Sequence, residues 1–332
     1  MAYETSENRI ILRNRPRILG VFTKALAVSL FRSRTLDAPD RLQKAEILLS
    51  GQILSKENIN RYRSVCGFDR EPATGSNEVL VPSPYLQTLF VGLLGRYITS
   101  EFFPITPLGL IHTRQSMEQL RPVFPEEVLD LSCCLEQMMQ TDKGIKTCFL
   151  LEAKCKGKPV WRGVSEFLTR SGEKGPEKKK KVLKEEVPME PGTEIPVPRD
   201  IGRRYASVSG DYNPHHLYGI TARLFGFRSP IAHGMWSLAR VTAELAHVFP
   251  LGPVFKIEAS FKRPVFLPAR TVLGYEWEKS GCPAEIAFPN APLEDKAEKN
   301  PAPTLHFELR DADSGIPHIK GSLILPPGER PE

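Results

Sequence analysis

The chain repeats itself. Tyr62-Arg63-Ser64-Val65-Cys66-Gly67 aligns with Tyr205-Ala206-Ser207-Val208-Ser209-Gly210 at an offset of 143 residues, sharing the pattern Tyr-x-Ser-Val-x-Gly. Pro107-Leu108-Gly109 meets Pro250-Leu251-Gly252 at the same offset, and Arg121-Pro122-Val123-Phe124 meets Arg263-Pro264-Val265-Phe266 at 142. Matches in one order at a nearly constant offset divide the 332 residues into two copies of one unit, each of about 130 residues, an ordinary domain size.

Both copies show the same order of elements. An opening segment with Tyr-x-Ser-Val-x-Gly leads to an apolar helix, expected at 84–103 and at 231–249, and then to strand-like runs. The runs fall at 128–138, 145–154 and 160–169 in the first copy, and at 254–261, 272–277, 304–309 and 318–325 in the second. Leu305, Phe307 and Leu309 alternate with His306 and Glu308, as a strand with one buried face should. One long helix followed by a meander of strands predicts an α+β fold in which an antiparallel sheet wraps the helix, twice. The expected division is an N-terminal extension at 1–48, a first domain at 49–170, a solvated Lys- and Pro-rich linker at 171–198 and a second domain at 199–326. Residues 289–303, with four Pro, read as a loop inserted in the second copy alone.

Charge then narrows the function classes. The net +6 suggests nucleic acid until it is located. Residues 1–34 carry six Arg and Lys24 against Glu4 and Glu7, and residues 174–186 carry six Lys against three Glu, so the rest of the chain is slightly acidic. No nucleic-acid partner is expected, and the lysine run at 178–181 reads as a solvated stretch between domains. The longest apolar run, 85–98, includes Gln87 and Arg96 and is too short to span a bilayer. Six cysteines without a C-x-x-C pair, and no secretory signal before them, read as reduced thiols of a cytoplasmic protein. The apolar segment 18–31 is open to three readings: a helix packed on the first copy, a mitochondrial presequence, or a membrane-surface helix.

Three of the seven histidines fall in one polar cluster, Ser209-Gly210-Asp211-Tyr212-Asn213-Pro214-His215-His216 and Pro230-Ile231-Ala232-His233-Gly234-Met235. Asn213-Pro214 forces a turn that lets Asp211 and His216 face one spot. A carboxylate and an imidazole sharing a water can act on it as base and acid. His233-Gly234 lies at the first turn of the second apolar helix, where backbone N–H groups lack helical partners and glycine leaves room for a developing oxyanion. Taken singly, Asp211 and Asn213 could be turn caps and His233 a core histidine. Metal binding by Asp211, His215, His216 and His233 is a further option, but neighbouring histidines diverge and no ligand-pair spacing is present, so no metal is expected.

The run Ser-Gly-Asp-Tyr-Asn-Pro-x-His, with Phe225-Gly226-Phe227 and Ile231-Ala232-His233-Gly234-Met235, resembles the MaoC-like acyl dehydratases, also called (R)-specific enoyl-CoA hydratases or hydratase 2. The resemblance is dense over 200–270 and, through the repeat, extends over about 50–325. It implies a double hot-dog fold and reversible hydration of trans-2-enoyl thioesters to (3R)-3-hydroxyacyl thioesters in fatty-acid metabolism, without a cofactor. Carried over by residue, the family's catalytic Asp and His fall on Asp211 and His216 and its oxyanion-hole glycine on Gly234. Asn213, His233 and Thr242 are the implied substrate-binding positions, Thr242 standing eight residues after the glycine. The family often has Ile or Leu where His215 stands, so His215 has no assigned role.

The repeat adds an asymmetry. Phe68 stands where Asp211 stands, and residues 70–73 offer no His, so one site per chain is expected. The first copy would pair its sheet with the second and shape an acyl tunnel, with Leu86, Phe90, Leu93 and Leu94 as candidate lining. The substrate would be an acyl-CoA or acyl-carrier-protein thioester, with Arg223, Arg228 or Arg240 as a possible basic rim, and the chain would be a monomer with an internal pseudo-dimer or a homodimer. Two rivals remain: a thioesterase of the same fold using Glu244, the acidic residue of the long helix, and a non-catalytic acyl-thioester-binding protein.

Overall fold

A computed structural model describes residues 3–6, 8–16, 18–29, 31, 45–69, 79–170, 189, 191–278 and 302–327. The lysine run at 178–181, residues 70–73 and most of the loop expected at 289–303 lie outside the described residues. Three elements precede the repeats: β1 (Tyr3–Ser6), β2 (Arg9–Leu12) and α1 (Ile18–Ser29). The first repeat follows as β3 (Glu46–Ile53), α2 (Lys56–Cys66), α3 (Ser83–Thr88), α4 (Val91–Ile98), β4 (Leu110–Gln119), β5 (Val128–Thr141), β6 (Gly144–Cys155) and β7 (Lys158–Arg170). The second repeat is β8 (Pro191–Val197), α5 (Ile201–Ser209), α6 (Gly219–Leu224), α7 (Gly234–Val248), β9 (Phe255–Phe261), β10 (Ala269–Trp277), β11 (Thr304–Asp311) and β12 (Pro317–Ile324).

The strands form one sheet in the order β1-β2-β3-β5-β6-β7-β4-β9-β12-β11-β10-β8. From β3 to β8 this order is a palindrome of the two repeats, joined where β4 pairs antiparallel with β9. Gln115 lies opposite Ala259 and Ser116 opposite Glu258. These separations bracket the repeat offset, so a pseudo-twofold axis passes between the two pairs. Each half curls around its own helices, and α7 buries Trp236, Leu238, Val241 and Leu245 in the same core as Ile257, Leu273, Phe307 and Leu323 of the sheet. This is the double hot-dog arrangement.

The repeated hexapeptide proves to be a helix with its stop signal. Gly67 and Gly210 both end their helices in the left-handed conformation, at φ 81° and 77°, which glycine adopts without a Cβ penalty. The repeated tyrosines, Tyr62 and Tyr205, are both buried, and their rings approach to 6.0 Å where α2 meets α5. Three side chains of α7 then close the C-terminal end of α2. Trp236 Nε1 donates to the Val65 carbonyl (3.1 Å), Arg240 Nη1 to that of Cys66 (3.3 Å) and His247 Nε2 to that of Gly67 (3.0 Å). Carbonyls without partners inside their own helix are thus satisfied from the other repeat.

The structure departs from expectation in three places. The first apolar helix is broken at Leu89–Phe90, whose N–H groups bond to Leu86 and Gln87 three residues back instead of four. It ends at Ile98, short of Phe103, because the Thr99 and Ser100 hydroxyls bond back to the Gly95 and Tyr97 carbonyls (2.9 and 2.7 Å). Pro104 further disfavours helix at Phe103. Second, the stretch expected as solvated linker ends in strand β8, which pairs with β10 and buries Ile195 and Val197. Its two prolines are tolerated because β8 is an edge strand. Third, the expected N-terminal extension contributes to the fold. β2 runs parallel to β3 and buries Ile10 and Leu12, β3 begins at Glu46, and α1 packs on α4. Close approach there requires glycine, since a Cβ on Gly95 would lie 2.5 Å from Val21 Cγ1. No helix among the described residues is long and apolar enough to cross a membrane.

Candidate active site

Asp211, His216 and His233 converge. One potential ligand atom from each lies within 4.8 Å of the others. Two local devices bring this about. The glycine stop at Gly210 turns the chain out of α5, and the Ser209 hydroxyl, itself donating to the Tyr205 carbonyl (2.8 Å), accepts the Asp211 N–H (3.2 Å). Asp211 Oδ1 accepts the Asn213 N–H (3.2 Å), and Pro214 then opens a 3-10 turn, Pro214–His216, in which the His216 N–H reaches the Asn213 carbonyl (3.0 Å). The second device is the start of α7, where His233 is the N-cap and Gly234 the first helical residue.

The two imidazoles are stacked, with ring centroids 3.6 Å apart and planes at 25°. His216 Nδ1 meets the Ile231 carbonyl at 2.8 Å, and His233 Nε2 meets the Asp211 carbonyl at 2.9 Å. Carbonyls only accept, so these nitrogens carry the protons and His216 Nε2 and His233 Nδ1 carry lone pairs. Burial pushes His216 well below the usual histidine value, reinforced by His233 and His215 and opposed by the Asp211 charge. Burial takes His233 down to about 3. Both rings are neutral at pH 7, while Asp211 stays a third exposed and open to a ligand.

A metal fits this trio poorly. Coordination needs in-plane lone pairs meeting at about 2.0–2.1 Å from one ion. Two nearly parallel rings 3.6 Å apart direct their lone pairs side by side.

The remaining expected residues separate. Gly234 lies under Phe261: a Cβ there would come within 2.9 Å of Phe261 Cε1. As the first residue of α7 it has an N–H with no carbonyl to meet within the helix. Thr242 is buried and its hydroxyl donates to the Leu238 carbonyl (2.8 Å), about 12 Å along the helix from Gly234 at the usual rise. Asn213 serves the turn through its backbone. His215 lies beside His216, ring centroids 4.0 Å apart, with the rings of Phe225 and Phe227 at 5.7 and 5.5 Å. Arg240 does not form a rim; its side chain is mostly covered, bonded to Glu244 and to the first repeat. Glu244, the carboxylate a thioesterase would need, is neutralised by that guanidinium. Leu86, Phe90 and Leu93 are plain core, with Phe90 stacked on Trp161 at 5.4 Å. Phe68, at the position of Asp211, packs against the core.

Sequence reasoning missed His112, Phe261 and Gly202 at this site. Gly202 of α5 lies where a Cβ would be 1.9 Å from the His216 carbonyl oxygen. None of the three carries a motif; only chain neighbours far apart in sequence give them meaning.

Burial of neutral histidines makes stability pH-dependent. His112, His216 and His233 have folded-state values below their unfolded value near 6.5, so the unfolded chain takes up protons first on acidification. Their contribution is full above pH 6.5 and is lost as pH falls from there, toward about 4 for His112 and about 3 for His233. Urea midpoints are expected to drop steadily from pH 7 to pH 5, each histidine adding up to about 1.4 kcal/mol per pH unit in that window. Midpoints constant over this range would show that the rings titrate normally.

Residues 178–282 match the family model described as the MaoC like domain, a span that holds every residue of the cluster. Among curated proteins, 3-hydroxyacyl-thioester dehydratase X of Mycobacterium tuberculosis is 29% identical over 235 residues, covering 69% of this chain and 79% of that protein. A probable enoyl-CoA hydratase 2 of Dictyostelium discoideum is 26% identical over 163 residues, 46% of this chain and 55% of that protein. Among solved structures, HtdX of Mycobacterium tuberculosis superposes with a TM-score of 0.64 at 23% identity, covering 84% of this chain and 98% of that one.

Proposed function

We infer, from the premise that this chain carries a MaoC-like domain over its second repeat, that it is a hydro-lyase of acyl thioesters, hydrating trans-2-enoyl thioesters to (3R)-3-hydroxyacyl thioesters or running the reverse dehydration. The observation that carries the chemistry is the bare Nε2 of a neutral, buried His216 beside a partly exposed Asp211 carboxylate.

In hydration, Asp211 and His216 hold one water between them. As the water oxygen bonds to C3, His216 Nε2 takes one of its protons, the C2–C3 π pair becomes the C1–C2 bond of the enolate, and the carbonyl π pair moves onto the thioester oxygen. The enolate oxygen is held by the Gly234 N–H at the positive end of α7. Collapse of the enolate then takes the proton back at C2, so one water supplies both additions. The depressed basicity of His216 suits this, because a proton accepted there is readily given up, and the Asp211 charge steadies the imidazolium meanwhile. His233 orients both partners by bonding the Asp211 backbone and stacking on His216. The sheet junction that two separate hot-dog chains would otherwise form lies within this one, which supports a monomer as the working unit.

The test is spectroscopic. Purified chain is expected to remove the conjugated enoyl-thioester absorbance and to yield the (3R) alcohol on chiral analysis. Release of free thiol without loss of the double bond would replace this reading by thioester hydrolysis, and binding without either would leave an acyl-thioester-binding protein.

A further inference from the structure

His112 belongs to β4 of the first repeat, the half without an acid-base pair, yet it sits at the edge of the site. Its ring lies between Phe167 of β7 (centroids 4.7 Å apart, planes at 23°) and Phe261 of β9 (4.9 Å). Phe261 is the residue that roofs Gly234, so His112 and the glycine at the start of α7 approach the same aromatic ring. Asp211 is near enough for its charge to favour the protonated form of His112. Burial opposes this and prevails, bringing His112 down to about 4 and leaving it neutral at pH 7.

Two further features set His112 apart from a packing residue. The pairing of β4 with β7 slips at this point: His112 lies opposite Phe167 and Arg114 opposite Glu166, with Thr113 the extra residue of a bulge. Bulges re-aim the side chains beside them. Second, His112 Nε2 is buried and has no hydrogen-bond partner in the protein. A buried polar atom left unpaired costs about 1–3 kcal/mol, which a phenylalanine or leucine at this position would avoid. The Arg114 carbonyl and the Gln115 side chain favour a proton on the ring, and since Nε2 has no partner that proton lies on Nδ1 and Nε2 presents a lone pair. At the repeat offset of 143 the second copy has Phe255, so the imidazole occurs on one of the two central strands alone.

We propose that His112 is a substrate-positioning residue supplied by the first repeat, its Nε2 accepting a hydrogen bond from the 3-hydroxyl group of the hydroxyacyl thioester, or from the water that becomes it. The inference rests on the hydro-lyase reading above, and it gives the first repeat a direct part in the site. It also makes an asymmetric prediction. The hydroxyacyl thioester carries the donor that His112 needs and the enoyl thioester does not.

The experiment is to measure His112→Phe and His112→Gln in both directions, using a (3R)-3-hydroxyacyl-CoA and the enoyl-CoA of the same chain length. For His112→Phe, KM for the hydroxyacyl-CoA is expected to rise about tenfold, the worth of one neutral hydrogen bond. KM for the enoyl-CoA should stay within about twofold. Since no enzyme alters the equilibrium constant, kcat/KM must fall by one common factor in both directions, so hydration loses the difference in kcat. His112→Gln, which keeps an acceptor, should recover most of the loss. Unchanged kinetics in His112→Phe overturn the proposal, as does an equal rise of both KM values with a lowered Tm and no recovery by glutamine, the mark of a packing role. Absence of turnover by the unaltered chain would instead overturn the hydro-lyase reading. In that event calorimetric titration of hydroxyacyl-CoA against saturated acyl-CoA decides the His112 question, a preference for the hydroxyl that survives His112→Phe counting against it.

Discussion

Asp211→Asn and His216→Ala are each expected to lower kcat/KM for enoyl-thioester hydration by about 10²–10⁴-fold, the usual worth of a positioned acid-base group. The two substitutions fail for different reasons. Asparagine retains an oxygen for the Asn213 N–H and the shape of the turn, so Asp211→Asn removes the charge and little else. Stability should stay within about 0.5 kcal/mol, since the position is a third exposed. His216→Ala removes the ring that lies on His233 and leaves the Ile231 carbonyl without its donor, so a loss of about 1–3 kcal/mol should accompany the loss of turnover. Circular dichroism and a urea midpoint separate the two effects. Near-full activity in both variants would remove Asp211 and His216 from the chemistry.

Gly202→Ala is the second large expectation, because it contradicts a local rule. Alanine in a helix is favoured over glycine by about 1 kcal/mol, and α5 alone would gain from the change. Yet the added Cβ would lie 1.9 Å from the His216 carbonyl oxygen and 2.9 Å from its carbon, both backbone atoms. Ordinary contact needs a separation more than 1 Å greater, so the 3-10 turn carrying His216 must move away from α5. Misplacing a reacting group by about 1 Å costs on the order of 10² in rate. The variant is therefore expected to fold and to lose about 100-fold in kcat with little change in KM. Full activity would show that the turn adjusts without moving the ring.

Much of this was legible in the residues themselves. The repeat anticipated two like halves joined through their sheets, and at the junction the pairings of Gln115 with Ala259 and Ser116 with Glu258, 144 and 142 residues apart, bracket the offset of 143. Strand-like runs marked β5, β6, β7, β9, β10, β11 and β12, the last but one by its alternation. Pattern reading failed for β1, β2 and β3, for β8, whose prolines mimic a linker, and for β4, whose buried Gln115, Ser116 and Gln119 conceal the period. Gln115 is satisfied by partners far away in sequence: Ser165 Oγ donates to its Oε1 at 2.7 Å, and its Nε2 donates to Gln87 Oε1 at 3.2 Å.

At the site, the sequence by itself determined which residues could meet. Asp211, Asn213-Pro214 and His216 are bound into one turn by short-range backbone geometry, and His233-Gly234 opens a helix whose apolar run is plain in the chain. Their protonation was decided by tertiary structure alone. An imidazole becomes a neutral base with a bare Nε2 when desolvation opposes its charge and a carbonyl holds its other nitrogen, and both the burial and the Ile231 carbonyl come from packing. The fates of Arg240 and Glu244 were decided in the same way, by the exposed carbonyls of α2 from the other repeat, and so was the approach of His112. Periodicity and motif report what a segment does with its neighbours in the chain. Which charge survives burial, and which half of a repeat reaches across to the other, depends on atoms that only the fold brings within a few ångströms.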